Sequence, residues 1–222
     1  MQPIDTALDS RRPLGEEIAN TTTHVVGFVL SLLGSVALVS AARYAGVGSV
    51  VACAVYATTV IAMYAVSALS HAVQRPDSKY VLCACDQGVI YLSIAGTYTP
   101  LLWAFSPSPL VWFLLAAVWA AALVGFYFKV VVRHRVQEKF SAVTYILLGW
   151  APALLLIESS VPLGCILWIV LGGLSYTVGT LFLKMDKKVR YFHATWHLFV
   201  IVGSACHFYA VYAFALQGSV TA

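Results

Sequence analysis

A chain of 222 residues that is 61% hydrophobic and 10% charged, with a mean hydropathy of +0.86, is not built as a water-soluble domain, in which about a quarter of residues carry charge. Its net charge of +4 does not mark a nucleic-acid partner, because the bases stand in short clusters between long apolar runs. These runs reach about 18 residues or more, enough to cross a hydrocarbon core of about 30 Å as a helix. They lack the period-two alternation of barrel strands, and in lipid the backbone must satisfy its own hydrogen bonds as helix or closed barrel. The expectation is an all-α integral membrane protein: a bundle of seven transmembrane helices, N-terminus cytoplasmic and C-terminus extracytoplasmic.

In chain order, residues 1–20 read as a short polar cytoplasmic segment carrying Asp5, Asp9, Glu16 and Glu17. It has neither the basic start nor the short apolar core of a cleavable signal peptide, so the first helix is expected to remain as the first span. Apolar runs predict helices at 21–42, 48–72, 81–102, 110–131, 140–158, 163–184 and 192–216, together one membrane domain over 21–216, with 217–222 as a short extracytoplasmic tail. Helix breakers support these limits: Pro76 after the second run, Pro100 near the end of the third, Ser106-Pro107-Ser108-Pro109 before the fourth and Pro162 before the sixth. Pro152 falls inside the fifth and predicts a kink there. The five cysteines, Cys53, Cys83, Cys85, Cys165 and Cys206, all lie in apolar runs and read as small buried hydrophobes.

Orientation follows from Lys and Arg, which are enriched in cytoplasmic loops. Arg11 and Arg12, Arg75 and Lys79, then Lys129, Arg133, Arg135 and Lys139, and finally Lys184, Lys187, Lys188 and Arg190 fall on one side of a seven-span topology. That is twelve of the 13 basic residues, against Arg43 on the other side. Seven spans with the N-terminus inside give this clean partition.

Ionisable groups within membrane helices are costly, so each marks a candidate site. His193 and His197 are four apart, which puts both imidazoles on one helix face, suited to gripping one transition-metal ion. The topology sets His197 about 10 Å and His71 about 6 Å from the cytoplasmic surface by helical rise. Asp86, near the start of the third helix, lies at similar depth. Three histidines and a carboxylate from three helices therefore meet in one layer. Ser67 is one turn from His71 on the same face, where its hydroxyl serves either the metal's surroundings or simply helix packing. His24 lies at the right depth on the first helix for a fourth ligand or a supporting role, or else caps and packs with Asn20 and Glu17. His207, ten residues beyond His197 and about 15 Å further along, is too far to share the ion. His134, between Arg133 and Arg135, reads as a solvated loop residue.

Glu17-x-x-Asn20-x-x-x-His24, Ser67-x-x-x-His71, Asp86 followed by Ile94-Ala95-Gly96-Thr97-Tyr98-Thr99-Pro100, and His193-x-x-Trp196-His197 with the later His207 resemble the hemolysin III family. This is the bacterial branch of the progestin and adipoQ receptors, related to the adiponectin receptors, and the likeness runs from about Glu16 to Tyr212. It implies a seven-helix fold in a bacterial cytoplasmic membrane, and a zinc ion held by His71, His193 and His197 with Asp86 near the metal's water. The family is distantly similar to the alkaline ceramidases, which hydrolyse lipid amides. Hormone or adaptor binding, and hence a soluble protein partner, is not implied.

Three neutral histidines leave a tetrahedral zinc with one open position, as in catalytic rather than closed structural sites. Imidazole ligands by themselves also suit iron, copper or nickel. The functional expectation is a zinc-dependent hydrolase of a lipid amide or ester in the inner leaflet, with Asp86 as general base and Ser67 as a donor to the developing oxyanion. The rival readings are a membrane-state sensor or receptor stapled by a structural zinc, and, ranked last, a membrane-lytic protein, because no helix carries a polar stripe able to line a pore.

Overall fold

The computed structural model describes residues 12–105, 108–132, 138–156 and 161–216. Asp5, Asp9, Arg11, Ser106, Pro107, Arg133, His134, Arg135 and the 217–222 tail lie outside the described residues. Those described form seven long helices and no strand. They are α1 (Leu14–Ala42), α2 (Val47–Ala72), α3 (Pro76–Phe105), α4 (Pro109–Tyr127), α5 (Glu138–Leu156), α6 (Leu163–Met185) and α7 (Phe192–Ala210). A short 3-10 turn, Arg43–Ala45, continues α1, and single π turns, Phe128–Val132 and Val211–Ala215, extend α4 and α7.

Six of these helices are long and apolar enough to cross a membrane. Within α5 the described apolar stretch is Ala142–Ala153. Two starts differ from expectation. α1 begins at Leu14 rather than 21, because Glu16 and Glu17 are buried and ion-paired instead of solvated. α3 begins at Pro76 rather than 81, proline serving as a first helical residue whose missing N–H is no loss there. Pro100 and Pro152 are both inside helices. At α4 the expected breaker acts as a cap, the Ser108 hydroxyl accepting from Val111 N with Pro109 next to it. The α1–α2 corner turns on Gly46, whose φ of 96° suits glycine.

α1 packs between α2 and α7, α2 against α3, and α6 against α7. α3 is the most enclosed helix, while α4 and α6 show broad apolar faces outward. Leu30, Leu33 and Val36 on α1, Phe113 and Val124 on α4 and Leu171 and Leu181 on α6 are exposed. Such a surface is stable against lipid tails and not against water. Inside, Leu38, Tyr64, Leu101 and Leu156 are fully enclosed in one continuous core.

The α6–α7 connection is tight. Val189 N returns to Met185 O, and Tyr191 adopts left-handed φ 64° and ψ 3° before α7 starts. For a residue with a Cβ this conformation costs on the order of 1 kcal/mol or more. It folds Asp186 back over the first turn of α7.

Candidate metal centre

His193 and His197 face one way from α7, and α2 brings His71 to meet them. One ring nitrogen from each of the three lies within 4.8 Å of the other two. Ring centroids are 5.0 Å apart for His71–His193, 5.1 Å for His71–His197 and 4.6 Å for His193–His197. His197 and His71 are buried and His193 nearly so.

The partners of these rings decide which nitrogen remains free. His71 Nδ1 lies 2.8 Å from Glu17 Oε2, and His193 Nδ1 lies 2.7 Å from Asp186 Oδ2. Carboxylates accept, so both Nδ1 atoms carry the proton. His197 Nδ1 is 3.0 Å from Thr23 Oγ1, and the Thr23 hydroxyl itself faces Asn20 O at 2.8 Å and Ala19 O at 3.0 Å. With its one proton committed to a carbonyl, Thr23 accepts from His197. All three Nε2 atoms thus keep their lone pairs. Among the described residues, the buried His71 Nε2 has no hydrogen-bond partner. Neutral imidazoles, oriented through Nδ1 by carboxylate or hydroxyl and presenting Nε2, are the donor set that transition metals take. The residues present fit a metal ion.

The orienting groups are themselves held. Glu17 Oε1 accepts from Lys79 Nζ at 2.6 Å. Asp186 accepts from Arg12, which also lies 3.8 Å from Glu16, and Glu16 is 3.4 Å from Arg190. Burial alone would raise the Asp186 carboxyl, but the His193 hydrogen bond and the Arg12 charge outweigh it and hold the group below its ordinary value. Asp186 therefore stays an acceptor for His193.

Asp86 and Ser67 line the same cavity as the histidines. Ser70 reaches Asp86 Oδ2 at 3.4 Å while donating to Ser67 O at 2.9 Å. Asp86 is not one of the three clustered ligand groups. His24 lies against His197, with ring centroids 3.6 Å apart and planes tilted by 39°, and meets Tyr64 edge-on. Its two ring nitrogens, and both side-chain polar atoms of fully buried Asn20, have no hydrogen-bond partner among the described residues. His24 is thus against the cluster but outside its ligand set.

From this end a cavity of about 1890 Å³ extends into the bundle, past Met63 and Ile90 to Tyr98, Trp150 and His207. It is larger than the roughly 300–1,000 Å³ usual for small-ligand pockets. His207 lies at its deep end, its Nε2 3.1 Å from Ile169 O, apart from the cluster as expected. The five cysteines are free, three of them buried and Cys83 and Cys85 only partly so.

Sequence reasoning brought Glu17 forward as a polar N-terminal residue, a packing partner of His24 and part of a motif, not as a partner of His71, and it missed Thr23 and Asp186. A signal existed for Asp186, the lone carboxylate in the basic stretch Lys184–Arg190. For Thr23 there was none beyond its place one residue before His24.

A sequence profile described as Haemolysin-III related matches residues 13–208. The chain is 37% identical to a protein named Hemolysin-3 from Bacillus cereus over 209 residues, covering 90% of this chain and 92% of that one. It is 35% identical to the Hemolysin-3 homolog of Bacillus subtilis (strain 168), covering 91% and 95%. A human protein, Monocyte to macrophage differentiation factor, is 29% identical over 206 residues, covering 90% and 84%.

Proposed function

The chain belongs to the haemolysin-III family, and from that premise we propose that it is a zinc-dependent hydrolase of a lipid amide or ester. The observation that carries this is the set of three Nδ1 hydrogen bonds, which leave three Nε2 lone pairs free in a cluster whose ring nitrogens lie within 4.8 Å of one another, on a cavity of acyl size. His71, His193 and His197 hold the metal. Three protein ligands leave a position open for chemistry.

Zinc, when bound, supplies Lewis acidity to a carbonyl oxygen and to water alike. The protein does the rest. Asp86 takes a proton from the attacking water and returns it to the leaving nitrogen or oxygen as the carbonyl–heteroatom bond breaks. The products are a free fatty acid and an amine or alcohol. Ser70, 3.4 Å from Asp86 Oδ2, helps to hold that carboxylate at the site. Ser67, on the cavity wall, donates to the developing oxyanion. Met63, Ile90 and Ile94 form apolar wall for the acyl chain and exclude bulk water.

In the bilayer we place all seven helices across the membrane, α5 included, with the N-terminus in the cytoplasm of a bacterial cell and the C-terminus outside. The ion pairs support this orientation, since Arg12, Lys79 and Arg190 gather at the same end of the bundle. The substrate then enters from the inner leaflet. A sensor stapled by structural zinc is the second reading, favoured by the way the cluster ties α2 to α7. A chelating ligand set that opens on a large cavity speaks for the enzyme.

Lipid profiling of membranes carrying the protein or Asp86→Asn tests the reading. Free acid accumulates with the former and not with the latter. Equal profiles beside normal zinc content would leave the staple as the better account.

A further inference from the structure

His207 has no part in the cluster, yet a histidine in mid-bundle is expensive and the fold makes room for it. A Cβ at Gly172 would stand 2.3 Å from His207 Cδ2, so α6 carries no side chain where the imidazole packs. The ring is also fixed in tautomer. Ile169 O can only accept, so His207 Nε2 is the donor and Nδ1 keeps its lone pair.

The hydroxyls around the deep cavity share this bias. Ser93 donates to Ile90 O at 2.9 Å, Thr97 to Ser93 O at 2.8 Å and Thr177 to Gly173 O at 2.8 Å. Thr180 donates to Thr177 O at 2.7 Å, and Tyr98 donates to Gly149 O. Tyr176 is engaged with Ser204 Oγ at 2.8 Å. Apart from the Tyr176–Ser204 pair, in which either hydroxyl can donate, these protons are committed to the protein's own acceptors; Thr177 Oγ1 also accepts from Trp150 Nε1 at 3.0 Å, and His207 Nδ1 and the other hydroxyl oxygens are left as acceptors on residues that line the cavity. A lining rich in acceptors repels a carboxylate or phosphate and rewards a ligand that brings O–H donors.

We propose that the deep end of the cavity, at His207, recognises a hydroxyl on the hydrocarbon chain of the ligand, so that the protein's lipid is a chain-hydroxylated acyl compound. The proposal rests on the preceding reading for where the carbonyl sits. His207 is ten residues from His197, about 15 Å along α7. An extended chain advances roughly 1.2 Å per bond, which puts the preferred hydroxyl on the order of twelve carbons from the carbonyl.

The test is binding of a matched pair to the full-length protein in nanodiscs: 12-hydroxyoctadecanoyl hydroxamate and octadecanoyl hydroxamate, whose head groups chelate metal. The wild type should bind the hydroxylated compound about ten-fold tighter, as one added neutral hydrogen bond allows. His207→Leu should bring the two to equal affinity with zinc content unchanged, and His207→Gln, which keeps a donor for Ile169 O and an acceptor for the ligand, should restore most of the preference. Equal binding by the wild type, no binding of either compound, or a preference that survives His207→Leu overturns the proposal. Should His207→Leu not fold, loss of the preference in His207→Gln with normal zinc content also overturns it. Failure of the metal reading looks different: removal of zinc, or His71→Ala, would leave both affinities unchanged while the hydroxyl preference persists.

Discussion

Helix α7 carries three histidines with two contrasting environments. His193 and His197 bond through Nδ1 to a carboxylate and a hydroxyl, and those partners are held in turn by Arg12 or by backbone. His207 bonds through Nε2 to a single carbonyl of the neighbouring helix. The same side chain on the same helix thus presents opposite nitrogens. The lesson is that the outer partner, more than the spacing along the helix, decides whether a buried imidazole is ready to take a metal.

The largest effects should come from the ligands themselves. His71→Ala or His193→Ala should reduce bound zinc from about one ion per chain to near none, a loss of affinity beyond the ~100-fold that outer partners command; elemental analysis of purified protein is the check. Zinc retained in full by both variants would erase the contrast between the two environments. Asp86→Asn comes next, with turnover expected to fall by about 10²–10⁴-fold at unchanged zinc content, measured as free acid released. Glu17→Gln and Asp186→Asn should each weaken zinc by about 10–100-fold, read by competition with a chelator. A weaker effect from Thr23→Val would sharpen the comparison, since a neutral acceptor orients less firmly than a charged one. The smallest effect belongs to the turn. Tyr191→Gly relieves a left-handed residue and should raise thermal stability by up to about 1 kcal/mol, with no change in zinc.

Much of this was legible in the sequence, and the parts that were not share a cause. The helical class followed from run length and hydropathy, and the meeting of His71, His193 and His197 followed from loop charge and helical rise. The start of α1 did not, because Glu16 and Glu17 look like solvated residues until their partners are known, and those partners, Lys79 and Arg190, are far away in the chain. Asp186 was hidden for the same reason. Its role depends on Tyr191 bending the backbone so that a residue seven positions before His193 can reach it.

The wiring of the first turn of α1 has a consequence for how the protein is made. Glu17 finds Lys79 and His71 only after the second and third helices have been synthesised. Glu16 and Arg12 find Arg190 and Asp186 only when the seventh helix is about to emerge. Until then Arg12 and Glu16 have only each other, and Glu17 has neither His71 nor Lys79. The histidine site is therefore the last thing biosynthesis completes, and a ribosome that stops short of α7 releases a chain whose first helix is still waiting for its partner.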